Sequence, residues 1–277
     1  MQINYCCPFW GCEQLGVTAF FDRVKAAYYN GVEVFLNNEI EFVTEFIAEV
    51  EDAIDADETF TFIIQHIAPY QPGPFKDYIL EFEKQLIRLT EYKPHFINAH
   101  TGKDFFSFDD NCRIIEAAMN ISSKTGVRIL HETHRGRFSF HAASLIPYLK
   151  IFPDMELVGD FSHFCTVSES MLQDQEEIIR EIIPHVSHIH ARIGYEQSPQ
   201  VNDPFAPEWQ NHFALFEKWW QQIIQHKKQS GWNSCTITPE FGPAPYMPSL
   251  PFTQQPIGNQ WEINYKMMQR LKTTLQT

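Results

Sequence analysis

Short apolar runs alternate with longer amphipathic segments from one end of this 277-residue chain to the other. Eight of the runs have the pattern of buried strands: 2–8, 32–36, 60–66, 95–100, 127–132, 156–161, 187–192 and 235–240. Eight helical patterns follow them in turn, near 17–29, 40–55, 76–92, 109–125, 141–151, 174–184, 211–229 and 259–275. Strands that alternate with helices are parallel, so the sequence predicts an α/β fold, a single (β/α)8 TIM barrel over residues 1–277.

The main competing fold is a doubly wound open sheet, and two observations count against it. No GxGxxG or GxxxxGK[ST] motif follows the first strand. Polar residues end one strand after another instead of clustering at a single switch point. The length also suits a barrel, which commonly needs about 250 residues in one unit.

The composition narrows the class of partner. Thirty-five acidic residues against twenty-one basic ones give a formal net charge of −14, which argues against a general nucleic-acid surface. No run of 18 apolar residues is present, and the amino-terminal segment lacks the features of a signal peptide, so we expect no membrane partner and a cytoplasmic location. The six scattered cysteines are expected to be reduced thiols.

Chemically active side chains stand at the ends of six consecutive predicted strands, where the site of a barrel enzyme forms. They are His66, His100, Glu132, His134, Asp160, His163, His188, His190, Arg192 and Glu240. Two Glu, one Asp and at least one His from adjacent strands predict a divalent-metal site, since oxygen ligands with one imidazole suit a hard or borderline ion. A bound cation would also relieve the repulsion between crowded carboxylates.

Two predicted loops are unusually long: 193–210 after the seventh strand and 241–258 after the eighth. Loops of this length in a compact domain tend to be functional. Five prolines restrict the second loop, which favours a shaped wall over a flexible tether.

Four segments carry a resemblance to a known group of proteins. HETHRGR (131–137), GDFSH (159–163), HIHAR (188–192) and PEFG (239–242) resemble the last four strand ends of the xylose isomerase-like TIM barrel superfamily. That group contains sugar and sugar-phosphate isomerases and epimerases, together with DNA repair enzymes of the endonuclease IV type. The resemblance implies one divalent metal ion, held by Glu132, Asp160, His190 and Glu240, with Mn, Mg or Co favoured and Zn also open.

The resemblance further implies an enzyme that moves a proton next to the carbonyl of a small sugar or sugar-derived substrate through an enediolate, with Glu132 and Glu240 as base and acid. The residues then expected to contact the substrate are His66, His100, His134, Arg135, His163, His188 and Arg192. Ketohexose epimerases of the group usually carry an Arg where this chain has Glu196 and a Glu where it has Phe138. A plain ketohexose 3-epimerase is therefore not expected, and Arg192 is the nearest replacement for the missing Arg.

Two alternatives stay open at this point. The same barrel supports phosphodiester hydrolysis with three zinc ions, and His66 and His100 are placed to supply extra ligands, although the −14 charge disfavours a DNA substrate. A non-catalytic sugar-binding barrel is the second alternative, because fold does not fix function. A homodimer that covers the site is compatible with the aromatic content of 14%.

Overall fold

Eight parallel strands close into a barrel in the computed structural model, which describes residues 1–67 and 73–275. The strands are β1 (Gln2–Pro8), β2 (Gly31–Phe35), β3 (Thr61–His66), β4 (Phe96–Ala99), β5 (Arg128–Glu132), β6 (Leu157–Gly159), β7 (Val186–Ala191) and β8 (Ser234–Pro239). Each strand pairs with its neighbours along the chain, and β8 pairs with β1 to close the ring. The predicted (β/α)8 barrel is confirmed.

Helices surround the barrel, and the described part of the chain contains nine α-helices. They are α1 (Val17–Ala26), α2 (Ile40–Ala56), α3 (Phe75–Thr90), α4 (Phe108–Thr125), α5 (Ala142–Ile151), α6 (Phe161–Ser168), α7 (Glu176–Ile182), α8 (Gln210–Gln229) and α9 (Gln260–Thr274). Each of the eight predicted helices has a counterpart whose ends differ by at most three residues. Helix α6 was not predicted.

The unpredicted helix shortens the sixth strand. The sequence predicts a strand over 156–161, but β6 ends at Gly159 because Asp160 caps helix α6. The Asp160 carboxylate accepts a hydrogen bond from the Ser162 backbone N–H at 3.0 Å, which is the usual way to satisfy a free amide at a helix start. This cap fixes a functional carboxylate directly beyond the strand.

Side chains alternate between the inside of the barrel and the helix layer along each strand. The inside is filled at one level by an apolar cluster of Cys6, Ile63, Phe96, Leu130 and Val158. On β5, Leu130 and Glu132 face inward, whereas His131 faces outward and contacts the Thr101 hydroxyl at 2.7 Å, as the alternation predicts. A polar layer of Glu33, Gln65, Asn98, His188 and Thr238 lies above the apolar cluster, and we call it the floor of the site.

The two long loops support each other. The Gln200 amide in the first loop donates to the Gly242 carbonyl oxygen at 3.1 Å and accepts from the Gly242 N–H at 2.7 Å. The Trp10 ring packs directly on Gly242, where a Cβ atom would overlap the indole, and it meets the Tyr246 ring edge-on at 5.3 Å. The 241–258 loop thus forms a shaped wall beside the barrel mouth.

The fold bears on the state of the cysteines and on membrane-spanning helices. All six cysteines are free thiols, as predicted. Across residues 1–67 and 73–275, the structure contains no helix with the length and apolar character needed to cross a membrane.

Candidate functional site

A cleft of about 560 Å³ opens at the carboxyl ends of the strands. Small-molecule sites typically measure about 300–1,000 Å³. One side carries most of the apolar lining, Phe9, Trp10, Phe35, Phe42 and Ile67, and also Glu13, Asn37, Glu39 and Gln65. The other side is polar and charged and includes His100, Glu132, His134, Arg137, Arg192, Glu240 and Tyr246.

The four predicted metal ligands converge at the bottom of this cleft. Glu132 ends β5, His190 lies on β7, Asp160 follows β6 and Glu240 follows β8, and all four side chains are buried. Two overlapping groups hold them within ligand distance: Glu132, Asp160 and His163 form one, and Asp160, His190 and Glu240 form the other. Within each group the potential ligand atoms lie within 4.8 Å of one another.

The imidazole of His190 lies close to the carboxylates of Glu132 and Glu240. His190 Nδ1 lies 2.8 Å from Glu240 Oε2 and 3.8 Å from Glu132 Oε1. Among the described residues, His190 Nδ1 and Glu240 Oε2 have no aligned hydrogen bond although both are buried, and they are within ion-pair distance of each other. Unsatisfied buried polar atoms are costly. Together with the grouping of carboxylate and imidazole ligand atoms, this arrangement fits a divalent ion.

The electrostatics of the cluster agree with this fit. Burial raises the pKa of Asp160 more than the Arg192 guanidinium lowers it, and the neighbouring Glu240 and Glu132 charges raise it further. Burial acts to lower the pKa of His190, but the surrounding carboxylates raise it well above its ordinary value. The site is therefore rich in negative charge, which attracts a cation.

Arg192 connects two of the predicted ligands. Its guanidinium donates to Asp160 through Nε at 3.1 Å and also through Nη2, and Nη2 lies 3.1 Å from Glu240 Oε2. The guanidinium carbon lies 4.6 Å from the centre of the Tyr246 ring. Arg192 thus lines the cleft and balances part of the carboxylate charge.

Three more predicted substrate contacts cluster near the polar side. His100 Nε2 lies 3.2 Å from Glu132 Oε2, and the His100 and His134 rings are 4.4 Å apart. His163 packs beneath His134, at a ring distance of 3.9 Å, and approaches both Asp160 and Arg192. His100 and His134 line the cleft, whereas His163 supports it from within the core.

Arg135 lies at the rim of the cleft. It is exposed, and its guanidinium carbon is 5.2 Å from the centre of the Tyr246 ring.

The expectation that His66 contacts the substrate needs correction. Side chains alternate along β3, and Gln65 faces the cleft while His66 faces helix α3. His66 Nε2 lies 2.9 Å from Gln85 Oε1, and the imidazole meets the Phe82 ring edge-on. His66 therefore belongs to the packing between strand and helix.

His188 is also displaced from its expected place. It faces inward but lies fully buried at the level of the polar floor. Its Nδ1 contacts the Thr236 hydroxyl at 2.7 Å and its Nε2 contacts Glu33 Oε2 at 3.3 Å. His188 therefore supports the floor and is not among the described residues that line the cleft.

The sequence did not predict three residues of the floor: Glu33 on β2, Gln65 on β3 and Asn98 on β4. The Asn98 amide nitrogen donates to Glu132 Oε2 at 2.7 Å and to Glu33 Oε1 at 3.0 Å. Burial acts to raise the pKa of Glu33, but the His190 charge and hydrogen bonds from His188 and His190 hold it well below its usual range. The available signal was a polar residue at an inward position of an otherwise apolar strand, as in VEVF and FINA.

No family model and no curated protein matches the sequence. Solved structures do match the fold over nearly the whole chain. The probable 3-DHS dehydratase involved in petrobactin synthesis from Bacillus anthracis is 17% identical, with a TM-score of 0.63, covering 98% of this chain and 99% of that one. The D-allulose 3-epimerase from Methylomonas sp., in complex with D-allulose, is 11% identical, with a TM-score of 0.63 and coverage of 99% and 97%.

A third match is a xylose isomerase-like TIM barrel protein from Mycobacterium smegmatis in complex with magnesium. It is 11% identical, with a TM-score of 0.57, covering 98% of this chain and 97% of that one. At these identities the similarity concerns the fold. The chain has the xylose isomerase-like barrel fold, as the four sequence segments predict.

Proposed function

We propose that this protein is a divalent-metal-dependent isomerase or epimerase of a sugar or a sugar-derived hydroxy-carbonyl compound. The observation that carries the proposal is the convergence of Glu132, Asp160, His190 and Glu240 at the bottom of a cleft large enough for a sugar. The matched structures of a D-allulose 3-epimerase and of a magnesium-bound barrel protein support it.

These four residues would hold one Mn, Mg or Co ion, with Zn also compatible. Such an ion, when bound, supplies positive charge that polarises a substrate carbonyl and stabilises the enediolate.

The proton transfer belongs to the two glutamates. One carboxylate takes the proton from the carbon next to the carbonyl as that C–H bond breaks. The other carboxyl group, which enters the step protonated, gives its proton to the enediolate and becomes the base of the reverse reaction. Asn98 fixes Glu132 through its hydrogen bond to Oε2. Arg192 Nη2 lies 3.1 Å from Glu240 Oε2 and orients that carboxylate.

The remaining polar residues bind and orient the substrate. His100, His134 and Arg192 line the cleft within reach of substrate hydroxyls, Arg135 stands at the rim, and His163 holds Asp160 and Arg192 in place.

The alternatives are weaker. A three-zinc phosphodiesterase would need ligands beyond the central four. His100 and His134 lie within ligand distance of Glu132, but His66, the other residue expected to supply a ligand, faces helix α3. Cytoplasmic location, a homodimer and the absence of a nucleic-acid partner stay predictions.

Solvent exchange provides the test. The purified protein is incubated with Mn²⁺ and a panel of aldoses, ketoses and their phosphates in D₂O, and NMR detects deuterium next to the carbonyl. We expect incorporation for at least one compound, and EDTA abolishes it. Metal analysis that finds one ion per chain supports the isomerase, and three zinc ions per chain support the phosphodiesterase. Metal binding with no exchange and no turnover across the panel would favour the non-catalytic barrel.

A further inference from the structure

His190 lies between two carboxylates on opposite sides of its ring. Its Nε2 is 3.0 and 3.2 Å from the two carboxylate oxygens of Glu33. Its Nδ1 faces the other way and lies 2.8 Å from Glu240 Oε2. The two ring nitrogens therefore have different environments, one toward the floor of the barrel and one toward the predicted metal ligands.

The chemistry of Glu33 fixes the tautomer of His190. An ionised carboxylate can only accept hydrogen bonds. Only Nε2 is aligned for a hydrogen bond, to Glu33, whereas Nδ1 is close to Glu240 Oε2 but not aligned for one. The hydrogen of a neutral His190 therefore resides on Nε2 and the lone pair on Nδ1. Nδ1 is the atom that faces Glu132 and Glu240.

Glu33 is held firmly enough to impose this orientation. Its side chain is fully buried, and it accepts hydrogen bonds from strands on both sides of the barrel. The donors besides His190 are Gln65 Nε2 at 3.2 Å, Asn98 Nδ2 at 3.0 Å, Thr238 Oγ1 at 2.5 Å and His188 Nε2 at 3.3 Å. A carboxylate fixed from four strands offers His190 a single position for its Nε2 hydrogen.

The same carboxylate is linked to a second predicted ligand. The Asn98 amide nitrogen bridges Glu33 Oε1 and Glu132 Oε2, at 3.0 and 2.7 Å. The floor thus orients one imidazole and one carboxylate of the site together.

We infer that Glu33 is a positioning residue of the metal site, which accepts the Nε2 hydrogen of His190 and so presents Nδ1 as the ligand atom. The inference rests on the proposed function, because it concerns the ion that Glu132, Asp160, His190 and Glu240 would hold. Loss of a hydrogen-bond partner behind a ligating histidine typically weakens metal binding by about 10–100-fold.

The test compares Glu33→Gln with Thr238→Val in the full chain. Both variants remove a contact within the Glu33 network, but only the first changes the partner of His190. Isothermal titration of the EDTA-treated proteins with Mn²⁺ should show binding weakened about 10–100-fold for Glu33→Gln. We expect a change of less than about threefold for Thr238→Val, because His190 keeps its charged partner.

A second measurement reads the tautomer directly. Long-range ¹H–¹⁵N correlation spectra of the Zn²⁺-loaded, ¹⁵N-histidine-labelled protein should show His190 with hydrogen on Nε2, with the signal assigned by its absence in His190→Gln. Glu33→Gln should perturb this signal, and Thr238→Val should preserve its pattern. A merely structural role of Glu33 would not move it.

The outcomes separate this inference from the proposed function. Equal Mn²⁺ affinity of wild type and Glu33→Gln, with the His190 signal unchanged, overturns the inference and leaves the proposed function standing. Equal weakening by Thr238→Val overturns it too. Wild-type protein that binds no Mn²⁺ overturns both. Should Glu33→Gln not fold, Glu33→Asp keeps the charge but shortens the side chain, and wild-type affinity in that variant also contradicts the inference.

Discussion

The two sides of the cleft are built from different halves of the barrel. The ends of β1 to β3 contribute mainly apolar side chains, among them Phe9, Trp10 and Phe35, whereas the ends of β5 to β8 contribute carboxylates, imidazoles and Arg192. The charged half concentrates the groups that can hold a cation and move protons. The other half offers the substrate an apolar surface. Substitutions in the charged half should therefore affect the chemical step, and those in the apolar half should affect substrate affinity.

The largest effect is expected from Glu240→Gln, in the charged half. The variant loses a proton carrier and a negative ligand, so kcat should fall about 10²–10⁴-fold. Isomerisation rate, D₂O exchange and bound Mn²⁺ are measured on the same sample. Glu196→Gln serves as the control, because Glu196 pairs with His212 away from the cleft and its loss should leave the rate unchanged. Intact metal with undiminished isomerisation in Glu240→Gln would contradict the acid/base role.

Arg192→Met, also in the charged half, tests whether the Arg192 guanidinium balances the carboxylate charge there. Removal of a buried cation leaves Asp160 and Glu240 uncompensated, and breaking such a pair typically costs about 3–5 kcal/mol of unfolding free energy. Because a divalent ion would restore positive charge, Mn²⁺ should recover most of this loss in urea unfolding. Arg128→Met is the control: its partly exposed pair with Glu156 should cost less than about 1 kcal/mol and show no Mn²⁺ dependence. A loss in Arg192→Met that Mn²⁺ does not alter would argue against a metal site here.

The pH dependence of stability tests a residue on the outer face of β5, in the charged half but outside the cleft. His131, next to Glu132 on β5, faces the helices, and burial lowers its pKa to about 4. An unfolded histidine titrates near 6.5, so the unfolded chain binds more protons between these values. This contribution to stability, about 3 kcal/mol, is fully present above pH 6.5 and is lost as pH falls toward 4.

Urea unfolding between pH 7 and pH 4 checks this, with His131→Gln expected to show a shallower decline. An identical decline in the variant would mean that His131 is not the titrating group.

The smallest effect is expected in the apolar half. Phe35 lines the cleft with 46% of its surface exposed, and Phe35→Ala should raise KM roughly tenfold, about 1.4 kcal/mol, without lowering kcat. Phe105, which is 77% exposed and does not line the cleft, provides a matched control in Phe105→Ala. A fall in kcat for Phe35→Ala would show that the two halves do not divide binding from chemistry as proposed.

The charged half was easier to predict than the apolar half for a physical reason. A Glu or His at the end of a buried strand is unusual, so Glu132 and His190 stand out against the apolar pattern. Phe9 and Phe35 look like ordinary core residues in the sequence, although they line the cleft. Apolar side chains carry no local signal that distinguishes a binding surface from a core.

The sequence predictions were wrong where the role of a residue depends on the direction in which its side chain points. His66 is the last residue of β3, yet it faces helix α3. His188 lies within β7 and faces inward, but it is buried below the cleft. Helix α6 was missed because its eight residues follow β6 without a loop, and only the Asp160 cap marks where the strand stops.

The sequence by itself determined the eightfold alternation, and with it the barrel, because periods of two and of about 3.6 residues are local properties of a chain. It also determined the residue types that can hold a cation at the strand ends. Only the tertiary structure decided which of these side chains meet. Glu33 and His190 are 157 residues apart in the chain and bond across the barrel interior. Their contact depends on the closure of the barrel and the depth of each side chain within it, and neither is encoded in any single strand.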